Sequence, residues 1–144
     1  MAQTARITLD NGSAIDIEFY PKDAAKTVDN FVKLAKQGFY NGLTFHRVVP
    51  NFVAQGGCPK GDGTGGPGWT VPAEFNARPH VRGTVAMARS QHPDSAGSQF
   101  YICYGPTPHL DRNYTVFGRV TSGMEHVDTI KQGDKMQTVE IQES

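Results

Sequence analysis

Cysteine is scarce in this 144-residue chain: Cys58 and Cys103 form neither a CxxC pair nor a metal-ligand spacing. Two free thiols are expected, with a disulfide between them as the alternative. Charge of one sign is also missing. Lys+Arg and Asp+Glu count 14 each, so nothing electrostatic points to nucleic acid or an anionic membrane as a partner. No apolar run approaches the ~18 residues of a membrane span. The opening stretch Met1–Arg6 lacks an apolar signal core, so a cytoplasmic location is expected.

Common catalytic motifs are absent as well. His46, His80, His92, His109 and His126 fall in no H-E-x-x-H or CxxC…H-x₃-H pattern, so no metal and no cofactor is expected. Ser98 sits in Ala96-Gly97-Ser98-Gln99-Phe100, which is not a G-x-S-x-G nucleophile elbow. Gly61, Gly63 and Gly66 formally spell G-x-G-x-x-G, but Pro67-Gly68-Trp69 follows. A pyrophosphate site needs a helix N-terminus there, to aim its free N–H groups. A nucleotide-binding α/β enzyme would show a helix directly after Gly66.

What is present has the size and composition of one globular domain spanning 1–144. Ile7 and Leu9, then Ile15, Ile17 and Phe19, alternate with polar neighbours on either side of Asp10-Asn11-Gly12. That is a hairpin with one buried face. From Ala24 to Gln37 the period changes: Val28, Phe31, Val32 and Ala35 recur at helical steps, with Asp23 placed to cap the start and Gly38 the end. A second helix is predicted over Met124–Gln132. Strands are predicted at Thr44–Val49, Phe52–Gln55, Gly83–Ala88, Gln99–Tyr104, Val116–Thr121 and Thr138–Gln142. Many short strands with two helices indicate an all-β, closed or nearly closed architecture. The Gly-rich run Gly56–Gly68 is long enough for a functional loop.

One constellation resists a purely structural reading. Phe45-His46-Arg47-Val48-Val49-Pro50-Asn51-Phe52-Val53-Ala54-Gln55-Gly56-Gly57 sets Arg47 inside an apolar strand pattern, with Phe52, Val53 and Gln55 close behind. Gly97-Ser98-Gln99-Phe100-Tyr101-Ile102 adds an amide and an aromatic, and His109-Leu110-Asp111 with Tyr114 adds an apolar and aromatic wall. Taken alone, Arg47 would pass for a surface cation, and Phe52 and Tyr101 for core.

These blocks, with G-D-G-T-G-G and V-F-G-R-V, occur in an order that resembles the cyclophilin family of peptidyl-prolyl cis-trans isomerases, from about Ile7 to Ile141. The compact loops are similar to those of its short bacterial-type members. The resemblance implies a closed eight-stranded antiparallel β-barrel capped by two α-helices, acting on proline-containing segments of client proteins and assisting their folding. It implies Arg47 and Gln55 as the catalytic pair. Phe52, Val53, Tyr101 and Leu110 would surround the proline ring, with His109 and Tyr114 as further substrate-binding residues. Gly63, Ala88, Arg89, Ser90 and Gln99 would hold the extended chain.

Several positions depart from the best-known eukaryotic pattern: Val53 for methionine, Tyr101 for phenylalanine, and Arg89-Ser90 for Asn-Ala. His109 stands where drug-sensitive members carry tryptophan, and Tyr114 where they carry histidine, so weak or no cyclosporin binding is expected. Nothing demands an oligomer, and a monomer is the default. A proline-peptide binding module with incidental activity would use the same groove.

Overall fold

The hairpin forms where the alternation places it. In the computed structural model, which describes residues 3–143, β1 (Gln3–Leu9) pairs antiparallel with β2 (Ala14–Phe19). Met1 and Ala2 of the opening stretch thus lie outside the described residues. Asn11 accepts the Ser13 N–H at 2.9 Å and holds the turn. Ala5, Ile7, Leu9, Ile15, Ile17 and Phe19 all point inward, and their neighbours stay half-exposed.

Helix α1 (Ala25–Lys36) buries Val28, Phe31, Val32, Leu34 and Ala35 as its period requires. Its cap differs from the sequence expectation. Asp23 is ion-paired with Arg78, and no side chain caps from within the segment. Instead the Glu74 carboxylate accepts the Lys26 and Thr27 N–H groups at 3.2 and 2.7 Å. A remote anion thus satisfies the free donors and the positive end of the helix.

The remaining strands are β3 (Arg47–Val49), β4 (Val53–Gly56), β5 (Thr84–Met87), β6 (Phe100–Cys103), β7 (Val116–Ser122) and β8 (Met136–Glu143). Their order in one sheet is β3-β4-β6-β5-β7-β2-β1-β8. The expected closed barrel is corrected here to an open half-barrel, because β3 and β8 form no ladder. Only the isolated bridge Thr44–Lys135 and a few bonds such as Phe45 N–H to Asp134 O (2.8 Å) span the gap. Residues 37–42 are turns and Thr44 makes an isolated bridge to Lys135, so the strand predicted from Thr44 begins at Arg47.

The second helix is also shorter than predicted: α2 covers Met124–Val127. Beyond it, three-residue bonds from Thr129 to His126 and from Ile130 to Val127 replace the helical pattern. The Thr129 hydroxyl also donates to the His126 carbonyl at 2.8 Å, which competes with continuation.

Phe31 is the hub of the core. Phe19, Tyr40, Phe100 and Phe117 pack on it with ring centroids 4.9–5.6 Å away. Strands β5 and β6 are buried on both faces. Val85, Met87, Phe100 and Ile102 enter this main core, while Ala86, Tyr101 and Cys103 join Val53 and Val116 in a second apolar cluster on the outer face. Tyr20, Phe52, Ala88, Leu110 and Tyr114 pack against that outer face.

Candidate active site

Antiparallel register puts Arg47 of β3 directly opposite Gln55 of β4. Asn51, at φ +63°, lies in the turn between these strands. Arg47 Nη1 donates to Gln55 Oε1 at 3.3 Å, and Gln55 Nε2 donates to Gln99 Oε1 at 3.1 Å. Gln99 Nε2 in turn donates to the carbonyls of Gly63 and Gly65 at 2.9 and 3.0 Å. One chain of hydrogen bonds therefore runs from the guanidinium to the Gly-rich loop. Gly63 has φ +89°, in the left-handed region that favours glycine, and a Cβ there would sit in ordinary contact with His46 Nε2 at 3.4 Å. Arg47 is exposed, has no carboxylate partner among the described residues, and lies 5.9 Å from the Phe52 ring centroid.

A cavity of about 130 Å³ opens beside that guanidinium, lined by Arg47, Phe52, Val53, Gln55, Ala88, Arg89, Tyr101, Leu110 and Tyr114. Leu110 ends a short 3₁₀ turn, Pro108–Leu110. His109 does not line this cavity; it stacks on the outer side of Phe52 with centroids 5.7 Å apart. A second, open cavity of about 310 Å³ continues from it, sharing Gln55, Ala88 and Arg89. Gly63, Ser90 and Gln99 line this extension. The sequence-predicted site residues thus fall into a small apolar slot, a polar extension and one flanking ring.

Two residues behind the slot were not identified from the sequence. The Tyr101 hydroxyl lies 2.8 Å from His80 Nε2, and His80 Nδ1 lies 3.0 Å from Asp111 Oδ1. Asp111 Oδ1 also accepts the His80 backbone N–H at 2.7 Å. Burial pulls the His80 pKa below the ordinary imidazole value, against the opposing pull of Asp111. In the neutral ring, Nδ1–H serves the carboxylate, which leaves Nε2 to accept the Tyr101 O–H. Burial likewise pushes the Tyr101 phenol up, so it remains a donor. The tyrosine hydroxyl needed a partner; which of five histidines supplied it was not readable from spacing.

A roomier cleft of about 510 Å³ lies elsewhere, lined by residues including Val48, Tyr104, Arg82 and Asp128. Its cation is neutralised by a two-bond ion pair with Asp128, so it offers no free charge. Among the described residues no group of His, Cys, Asp and Glu could hold a metal ion. Cys58 and Cys103 are buried free thiols, and burial pushes the Cys103 thiol up to about 11. No helix among the described residues is long and apolar enough to cross a membrane.

A family model described as cyclophilin type peptidyl-prolyl cis-trans isomerase/CLD matches residues 4–144. The chain is 49% identical over 142 residues to peptidyl-prolyl cis-trans isomerase B of Bacillus subtilis (strain 168), covering 97% of this chain and 99% of the relative. It is 51% identical over 144 residues to a peptidyl-prolyl cis-trans isomerase of Helicobacter pylori (strain ATCC 700392 / 26695), covering 96% and 88%. A crystal structure of a cyclophilin type peptidyl-prolyl cis-trans isomerase from Cryptosporidium parvum superposes with a TM-score of 0.91 at 27% identity, over 100% of this chain and 99% of that one.

Proposed function

The chain belongs to the cyclophilin-type peptidyl-prolyl cis-trans isomerase family and is an isomerase of X-Pro peptide bonds; on that premise we propose that Arg47 and the slot beside it carry the reaction. The observation behind this is an arginine without a carboxylate partner, held by an amide, at the mouth of a small apolar cavity.

An X-Pro bond favours trans by only ~0.5–1 kcal/mol, yet it exchanges over tens to hundreds of seconds. Its barrier, ~18–20 kcal/mol, is the resonance energy of a planar amide. No bond need be cleaved. Catalysis requires only that the twisted amide be bound more tightly than either planar form.

On twisting, the proline nitrogen becomes pyramidal and its lone pair localises. It can then accept a hydrogen bond that the planar amide cannot. Arg47 presents a permanently charged fork of donors to that nitrogen. Phe52, Val53, Tyr101 and Leu110 hold the ring. Gln55 fixes the guanidinium and faces the rotating carbonyl. Ala88, Arg89, Ser90, Gly63 and Gln99 hold the chain on either side as an added strand would be held. His109 and Tyr114 complete the wall.

Magnitudes divide the work. Turnover near ~10³ s⁻¹ against a ~100 s spontaneous process is an acceleration of roughly 10⁵. That corresponds to ~7 kcal/mol at 1.36 kcal/mol per decade. One charged hydrogen bond supplies ~1.5–3 kcal/mol. The rest falls to a slot that excludes water and to positioning.

Arg47→Ala is the test: turnover of an X-Pro peptide in exchange NMR should drop at least tenfold with the fold intact, and unchanged turnover would remove Arg47 from the mechanism. A client-binding role with incidental catalysis would instead survive Arg47→Ala in a cellular rescue. We place the protein in the cytoplasm as a monomeric single domain that assists folding. With an imidazole at His109 in place of an indole, cyclosporin should bind in the micromolar range or weaker; a nanomolar Kd by calorimetry contradicts this.

A further inference from the structure

The arginines of this neutral chain are not distributed evenly between paired and unpaired sites. Four of the seven are locked to carboxylates: Arg6 to Asp16 at 2.8 Å, Arg78 to Asp23 at 2.9 Å, Arg82 to Asp128 at 2.6 Å and Arg119 to Glu18 at 3.1 Å. The other three, Arg47, Arg89 and Arg112, have no such partner among the described residues. Arg47 and Arg89 both line the slot, and Arg112 follows Leu110 by two residues.

Arg89 is held without being neutralised. Its guanidinium donates to the carbonyls of Ser90 and Gln91 at 2.9 and 3.2 Å and to Asn113 O at 2.6 Å. It lies 4.6 Å from the Tyr114 ring centroid. Carbonyl dipoles and a ring quadrupole orient a cation but leave its net charge in place. The charge is therefore fixed where the slot meets its extension, because Arg89 lines both cavities.

No acidic side chain lines either cavity. The nearby carboxylates keep their charges but line neither cavity. Asp111 faces inward onto His80, Asp62 accepts from Thr64 N and Oγ1, and Asp94 accepts from the Ala73 N–H. The groove is thus a cationic strip on a molecule of zero net charge.

We propose that this groove selects acidic substrate segments, X-Pro sites with Asp or Glu next to the proline, through Arg47 and Arg89, which line it, with Arg112 two residues beyond Leu110 adding to the field. The proposal rests on the slot as the site of isomerisation. Its physical basis is a fixed positive potential that accelerates encounter and disfavours like-charged chains. The pairs formed are exposed, so the expected preference is about three- to tenfold in kcat/KM between Glu and Lys before proline. It should fade at high salt, where the Debye length shrinks to ~3 Å at 1 M.

Exchange NMR on the peptides Ala-Xaa-Pro-Phe, with Xaa Glu, Gln or Lys, tests this directly. The expected order is Glu over Gln over Lys at low salt. The Glu/Lys ratio should approach one in 1 M NaCl and should fall in both Arg89→Gln and Arg112→Gln. Among the described residues the Arg112 side chain makes no hydrogen bond that its replacement would break, so its variant keeps the test open should Arg89→Gln misfold. A ratio of one in the wild type overturns the proposal. So does a ratio that neither salt nor any folded variant changes. The Gln peptide with Arg47→Ala monitors the slot itself: loss of turnover there, with a Glu/Lys ratio of one, sinks the charge selection and leaves the isomerase site standing.

Discussion

The hairpin half of the sheet and the β4–β5–β6 half obey different burial rules. In β1 and β2 every second residue is buried and the rest meet water. In β5 and β6 every residue is buried, on the outer face as well as the inner. The second face packs as a small apolar cluster, of which Tyr101 and Val53 reach the slot beside Phe52, Leu110 and Tyr114. An antiparallel sheet ordinarily needs only one apolar face. Here the second face is covered by partly exposed side chains, Tyr20, Phe52, Ala88, Leu110 and Tyr114, instead of by a second layer.

If the two halves divide labour in this way, damage to them should separate stability from turnover. The largest effect is expected at the hub of the core. Phe31→Ala removes a ring packed by four other aromatics and should cost about 3–5 kcal/mol in denaturant unfolding, leaving turnover per folded molecule little changed. If turnover falls before stability does, the two halves are not independent.

His80 belongs to the slot half, behind Tyr101. His80→Gln should lose about 1–3 kcal/mol, because Tyr101 and Asp111 are left with imperfect partners. Its pH dependence sharpens the comparison. The folded-state pKa of His80 is depressed by burial, so its contribution is present above the unfolded value near ~6.5 and is lost as pH falls through the folded value. Burial depresses His46 in the same direction. Thermal melts from pH 7 downward should therefore show a shallower loss in His80→Gln than in the wild type. An identical slope would mean that His80 is not buried neutral.

Phe52→Ala addresses the rim alone. The side chain is only partly buried, so stability should change little while kcat/KM drops about tenfold, close to 1.4 kcal/mol of transition-state binding. A stability loss like that of Phe31→Ala would place Phe52 in the core after all. The smallest effect belongs to Tyr101→Phe, which keeps the ring in the slot and removes only the bond to His80. About 1 kcal/mol of stability should go, with turnover within a few-fold of wild type.

Local pattern alone located the hairpin, α1 and most of the strands, because burial on one face leaves a period of two or 3.6 in the chain. It did not reveal that Glu74, some fifty positions away, would cap α1 in place of Asp23. α2 was overextended for a related reason: apolar spacing continued to Ile130, but the backbone bonds shortened to three-residue turns. Arg47, Phe52, Gln55 and Gln99 were legible as a set because they stand in two compact blocks. His109 was legible too, yet it flanks Phe52 rather than lining the slot.

The order of residues by itself determined which segments alternate and which one coils, because these depend on neighbours a few positions apart; the pairing of Arg47 with an apolar wall was implied only by the family resemblance. Only the tertiary structure decided that β3 and β8 stop short of pairing, and that an imidazole from position 80 meets a phenol from position 101. It also decided which arginines found a carboxylate and which were left facing the groove. These outcomes depend on contacts between segments distant in the chain, and such contacts leave no periodic trace in it.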